Sequence, residues 1–171
     1  MPTHSPDSKQ NPDAFPLLLT EYDLHLIGEG THYRTYEKLG AHIREVKGVH
    51  GVHFAVWAPH AGRVSVIGEF NGWDGRSHGM RFHAGVGLWE LFVPNLDAGV
   101  PYKYEVTNAD FTARADKSDP YGFATELRPR NASIVHNIDS YEWHDAEWMR
   151  NRAPNPKSSP RADVARGIIP N

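Results

Sequence analysis

The sequence predicts an all-β, immunoglobulin-like antiparallel β-sandwich with a short N-terminal helical segment and disordered termini, and three observations predict it. From Ile43 onward the apolar residues alternate with period two instead of at helical spacing. The alternating runs are short and recur at regular intervals. The gaps between them carry turn-forming residues, such as Lys47-Gly48, Pro59 to Gly62, Gly85-Val86-Gly87, Asp97-Ala98-Gly99 and Asn108-Ala109-Asp110.

In chain order, residues 1–16 hold Pro2, Pro6, Pro12 and many small polar side chains, and are expected to be disordered. Residues 17–42 form the helical segment. Thr20-Glu21-Tyr22-Asp23 resembles a capping box, with an acid three residues after the cap, and opens a helix through Ile27 that Gly28 and Gly30 end. A second short helix is expected from Tyr33 to Leu39. Isolated helices below about 12–15 residues are marginal in water, so both must pack on something. Residues 43–137 form the sandwich, with strands at Ile43–Val46, Gly51–Trp57, Arg63–Phe70, Met80–His83, Leu88–Val93, Pro101–Thr107 and Phe111–Asp116. Val52, Phe54 and Val56 share one face, as do Tyr102, Tyr104 and Val106, while Lys103 and Glu105 point the other way. Ser133-Ile134-Val135 is a candidate late strand. Residues 138–171 read as a linker with a helical stub near Trp148, then a proline-rich disordered tail after Arg152.

A chain of 171 residues suits one domain with flanking segments. Its net charge is −3, with acids and bases interspersed and no basic face, so nucleic acid is not an expected partner. It has no cysteine, which excludes disulfides and thiolate metal sites. The apolar run from Pro16 to Leu19 is too short for a signal sequence or a membrane span, so the expectation is a cytoplasmic protein with no membrane partner. Eleven histidines invite a metal reading, yet none has a recognised ligand spacing, and His50 and His53 fall on opposite faces of one strand. Neither metal nor cofactor is expected. The acids Glu69, Asp74, Glu90, Glu105 and Asp110 fall on turns or outward strand positions with no paired motif, so no catalytic residue is assigned.

Most informative is Val64-Ser65-Val66-Ile67-Gly68-Glu69-Phe70-Asn71-Gly72-Trp73, where an alternating strand runs into a turn. Asn71-Gly72 favours positive φ, so the chain reverses and leaves Trp73 on a loop. An indole held there is a platform for a flat, amphipathic ligand; packing on the sandwich edge or an adjoining domain is the alternative use. Asn71 either donates to a ligand or holds the turn, with the turn the preferred role. Trp57 and Trp89, within strands, are expected in the core.

Three signatures coincide. Gly28-Glu29-Gly30-Thr31-His32 with Tyr36-Glu37-Lys38-Leu39-Gly40-Ala41-His42 resembles the segment leading into bacterial 1,4-α-glucan (glycogen) branching enzymes. Phe54-Ala55-Val56-Trp57-Ala58-Pro59, followed by the stretch ending at Trp73, is similar to a family 48 carbohydrate-binding module. Leu88 to Pro94, Tyr102 to Glu105 and Lys117 to Tyr121 continue the likeness, which covers residues 20 to 152. The resemblance implies α-1,4-glucan or glycogen as ligand, with Trp73 as sugar platform, Lys103 as a donor to hydroxyls, and Phe111 where some relatives place a second platform. It also implies a neighbouring catalytic barrel, a glycoside hydrolase family 13 domain that makes α-1,6 branches. Such a barrel needs about 250 residues, so the chain reads as an N-terminal module cut before it, not an enzyme by itself. The rival reading is a docking domain that touches the barrel but no glucan; it expects Leu88 and Phe92 to form an exposed apolar patch. Gly79 stands where relatives commonly carry proline, which predicts a looser loop beside Trp73.

Overall fold

A computed structural model describes residues 14–138 and 144–152 of the chain. The expectations for residues 1–13, for Trp143 and for the tail after Arg152 lie outside the described residues. Two compact units divide after Ile138. In the second, a short helix spans Ala146–Asn151, with the Arg152 guanidinium 5.6 Å above the ring of an exposed Trp148.

In the first unit, helix α1 spans Glu21–Gly28 and begins with the expected capping box. The Asp23 N–H donates to Thr20 Oγ1 at 3.1 Å, and the Thr20 N–H donates back to the Asp23 carboxylate at 3.1 Å. In place of a second α-helix there is one 3₁₀ turn, Thr35–Glu37. Nine strands follow: β1 (Gly40–Val46), β2 (Val49–Trp57), β3 (Ala61–Gly68), β4 (Arg81–His83), β5 (Leu88–Pro94), β6 (Pro101–Asn108), β7 (Arg114–Lys117), β8 (Ala124–Thr125) and β9 (Ser133–Ile134). All pairings between them are antiparallel. The first sheet has the order β1-β2-β5-β4; the second runs β3-β6-β9-β8, with β7 also paired to β6.

The sheets pack face to face over one core. Val52, Phe54, Val56, Trp89, Leu91 and Val93 come from the first sheet, and Val64, Val66, Tyr102 and Tyr104 from the second. These are the faces that the period-two pattern selects, and full burial of each such side chain favours folding by about 1.5–3 kcal/mol.

The centre of the first sheet, most of β2 and all of β5, is buried on both faces. Its outer face carries His53, Ala55, Leu88, Glu90 and Phe92, and the N-terminal segment lies over it. Phe15 meets Phe92 with ring centroids 4.7 Å apart, and Leu19 and Leu39 pack on Ala55 and Leu88. The apolar patch expected at Leu88 and Phe92 is therefore covered: both do point away from the sandwich core, but both are fully buried.

One buried carboxylate fastens this cover. Glu90 is 1% exposed. Its Oε2 accepts from the Leu18 and Leu19 N–H groups at 2.9 and 3.2 Å and lies 2.7 Å from His53 Nε2; its Oε1 lies 2.6 Å from His83 Nε2. Burial alone would raise the Glu90 pKa, but the His53 bond and charge, the Leu18 N–H and the His83 bond outweigh it and hold the group at about 2. Sequence alternation placed Glu90 outward and gave no hint that two histidines and the N-terminal backbone close over it.

Removing this carboxylate leaves two imidazoles and two backbone donors buried without it. Glu90→Ala is expected to cost about 3–5 kcal/mol, read as a lower urea midpoint at neutral pH. Because the folded pKa is depressed from its ordinary 4.5 to about 2, the stabilisation is complete above about pH 4.5 and is lost as pH falls through about 2. Wild-type stability should drop across that window, and the variant should drop less.

Candidate functional site

The site begins with the parity of β6. Tyr102 and Tyr104 point inward, and both hydroxyls donate to Asp119 Oδ2, at 2.6 and 3.1 Å. The Tyr121 N–H donates to Asp119 Oδ1 at 2.8 Å, and the Asp119 N–H donates to Ser133 Oγ at 2.9 Å. Ser118 Oγ donates to the Asn131 carbonyl at 2.6 Å, so the turn after β7 is tied to the segment leading into β9. Burial pushes the Asp119 carboxyl above its ordinary range against the pull of these donors, and burial beside Asp119 raises both phenols. Ionisation of Asp119 thus opposes folding, the reverse of Glu90.

With the tyrosines fixed inward, Lys103 must point outward. The β3–β6 register sets Ile67 opposite Lys103 and Gly68 opposite Tyr102. β3 stops at Gly68 instead of continuing to Phe70, because the chain turns into a 3₁₀ segment, Glu69–Asn71. The Asn71 carboxamide holds that turn: its Oδ1 accepts from the Gly68 N–H at 3.0 Å, and its Nδ2 donates to the Val66 carbonyl at 2.9 Å and meets His78 Nδ1 at 3.0 Å. Gly72 and Trp73 then both take left-handed backbone, with φ of 62° and 60°. The Trp73 N–H closes the turn on the Gly68 carbonyl at 2.8 Å. A left-handed conformation costs a residue with a Cβ about 1–2 kcal/mol, and Trp73 stays 40% exposed while bearing that cost.

The turn sets Trp73 beside Lys103 at the rim of an open cleft of about 520 Å³. Glu69, Asp116, Glu126, Arg130 and Asn131 complete its polar lining. Arg130 lies 3.4 Å from Glu126, whose other oxygen accepts from the Ala132 N–H at 3.2 Å. Among the described residues, by contrast, the Lys103 ammonium, the Trp73 indole N–H and the Asn131 carboxamide have no hydrogen-bond or ion-pair partner. The cleft thus offers an aromatic face, one free cation, a neutral carboxamide and the carboxylates of Glu69, Asp116 and Glu126 as acceptors. Nothing in it matches a metal centre: among the described residues no group of three or more histidines or acids is arranged to hold an ion.

Of the residues singled out from sequence, Trp73 and Lys103 come together here. Asn71 supports the turn from behind and does not line the cleft. Phe111 lies apart, in a left-handed turn (φ 56°) beyond the far end of β6; it is 67% exposed, next to Gly62. Lys103 lies five positions along the strand from Asn108 at that end, roughly 17 Å. Asn131, Arg130 and Glu126 were missed, since they follow a stretch with no periodic signal. Their approach depends on the short β9 pairing with the start of β6.

Two further expectations are corrected. Trp57 is 59% exposed, because it follows Val56 on the strand and so points to the outer face, whereas Trp89 is buried as expected. The loop at Gly79 is pinned and not loose: the Val66 N–H donates to the His78 carbonyl at 3.0 Å, the Met80 N–H to the Val64 carbonyl at 2.8 Å, and Gly79 bridges Ser65.

Residues 38–122 match the profile of carbohydrate-binding module 48 (isoamylase N-terminal domain), and this part of the chain belongs to that family. More narrowly, the chain is 58% identical over 134 residues to the 1,4-alpha-glucan branching enzyme GlgB of Trichodesmium erythraeum, a match covering 78% of this chain and 17% of that one. It is 55% identical over 142 residues to GlgB of Cereibacter sphaeroides, covering 83% and 20%. It therefore spans about a fifth of the length of these branching enzymes. Among solved structures, type I pullulanase from Bacillus subtilis in complex with maltose is similar at 22% identity and a TM-score of 0.49, over 69% of this chain and 14% of that one. Among the described residues, no helix is long and apolar enough to cross a membrane.

The Asp119 network makes a direct prediction. Tyr102→Phe removes the shorter of the two hydroxyl donors and should lower stability by about 1.5–3 kcal/mol, measured as a shift in urea midpoint. Trp73→Ala, on an exposed turn, should change it by less than about 1 kcal/mol.

Proposed function

We propose that the sandwich binds α-1,4-glucan, glycogen included, through the Trp73–Lys103 cleft. The observation that carries this reading is an exposed indole, held at a conformational cost, beside an ammonium that has no other partner. A pyranose ring lays its apolar C–H face on the indole while its hydroxyls take hydrogen bonds from Lys103 and Asn131. The aromatic contact contributes about 0.5–1.5 kcal/mol beyond its area term, so a site with one such platform gives a Kd near the millimolar range, about −4 to −5 kcal/mol. Asn71 acts by setting the turn, and Phe111, standing apart, makes no contact with a sugar bound at Trp73.

The parent activity is that of a glycogen branching enzyme acting in the cytoplasm, with this module preceding a family 13 barrel that forms α-1,6 branches. The module holds glucan near the barrel and raises its local concentration; it performs no cleavage itself. The likeness to branching enzymes supports this. A purely docking role loses its expected surface, since the N-terminal segment covers Leu88 and Phe92.

Affinity electrophoresis in native gels containing glycogen tests the proposal. The wild-type chain should be retarded, Trp73→Ala should lose most of the retardation, and Lys103→Ala should weaken binding about fivefold, the worth of one hydrogen bond. Absence of retardation in a folded wild-type chain, or retardation indifferent to both substitutions, would sink it.

A further inference from the structure

We infer that the face built around Trp57 is a second α-glucan subsite, separate from the Trp73 cleft; this rests on the glucan-binding reading above. Trp57 ends β2 with its indole 59% exposed. The ring is not free to swing: its Nε1–H donates to the Val86 carbonyl at 3.1 Å. Gly87, at φ 74°, lets the β4–β5 turn lie close against Pro59, where a Cβ would come within 2.5 Å of the proline ring. Phe82 is 43% exposed and is backed by Trp89, with ring centroids 4.6 Å apart. Each ring is thus held in place and needs little ordering when a ligand arrives.

Trp57 and Phe82 both line an open cavity of about 670 Å³ between α1, the β4–β5 turn and Tyr121. Its lining contains no charged side chain, although 23% of the chain is Asp, Glu, Lys or Arg. Two hydroxyls that line it, those of Thr35 and Tyr121, have no hydrogen-bond partner among the described residues. Uncharged walls disfavour phosphorylated or acidic ligands. Fixed aromatic faces with free hydroxyls suit a neutral, amphipathic ring, which is the chemistry of a pyranose.

The two platforms are well separated. Trp57 precedes the Ala61 end of β3 and Trp73 follows the Gly68 end, so a strand of roughly 23 Å lies between them. One polymer with many chain ends can engage both at once, and two weak sites on one scaffold then bind it more tightly than either alone.

The test follows the indole N–H signals of the chain by ¹⁵N NMR during titration with maltoheptaose, in wild type, Trp57→Ala and Trp73→Ala. Both Trp57 and Trp73 signals should move, the buried Trp89 signal should not, and the Trp57 response should persist in Trp73→Ala. In glycogen gels Trp57→Ala should lower affinity about threefold, and the double variant should fall below either single one. A Trp57 signal that stays still while Trp73 responds overturns this inference and leaves the proposed function intact. The converse overturns the Trp73 assignment and retains this one, and silence from both removes both. A Trp57 signal that ignores maltoheptaose but responds to an added branching-enzyme barrel assigns the face to protein packing and also overturns the subsite.

Discussion

Two tyrosine hydroxyls on one buried aspartate fix the side of the second sheet on which Lys103 is displayed. Side chains on a strand alternate, so anchoring Tyr102 and Tyr104 to Asp119 leaves Lys103 only the outer face. A slip of one residue in β6 would bury the ammonium and expose two phenols, both unfavourable. The same aspartate reaches Ser133 through its backbone N–H, which brings Asn131 to the cleft from a stretch with little regular structure of its own. Fold and site therefore share one polar knot. Its burial raises the Asp119 carboxyl, so the knot exacts a stability cost that its hydrogen bonds partly offset.

The first sheet solves a different problem. With Ala55, Leu88 and Phe92 on its outer face as well, it needs a second cover, and the N-terminal segment supplies it. Glu90 makes that arrangement specific, because its two oxygens satisfy donors from β2, β4 and the backbone before α1. Two carboxylates in one sandwich thus titrate in opposite directions: hydrogen bonds and the His53 charge win at Glu90, burial wins at Asp119. Surrounding donors decide the outcome, not depth alone.

At the cleft the logic is one of exposure kept at a cost. Asn71 and Gly72 would allow a sharp turn with almost any residue next, yet a tryptophan occupies the second left-handed position. Its conformation is stabilised by the bond from its own N–H to Gly68 and by the carboxamide of Asn71 beneath the turn. Residues that hold strain on a surface and leave polar groups unpaired are those from which ligand contact is reasonably inferred.

The sequence by itself determined the sandwich, most strand positions, the capping box at Thr20 and Asp23, the turn at Asn71-Gly72, and the outward placement of Lys103. All of these follow from periods and turn chemistry that act over a few residues. Only the tertiary structure decided what covers each face and which distant residues meet. Alternation can say that Glu90 and Phe92 leave the core, but not that a segment some seventy residues earlier buries them. It can place Trp57 on the outer face of a strand, but not show that the cover over that face leaves it 59% exposed. Nor can it bring Asn131 to Lys103 or set Phe111 apart from both, since those distances depend on the β6–β9 pairing and on strand length. The physical reason is that burial and proximity are properties of the packed chain, set by contacts between residues far apart in the sequence, and no local pattern encodes them.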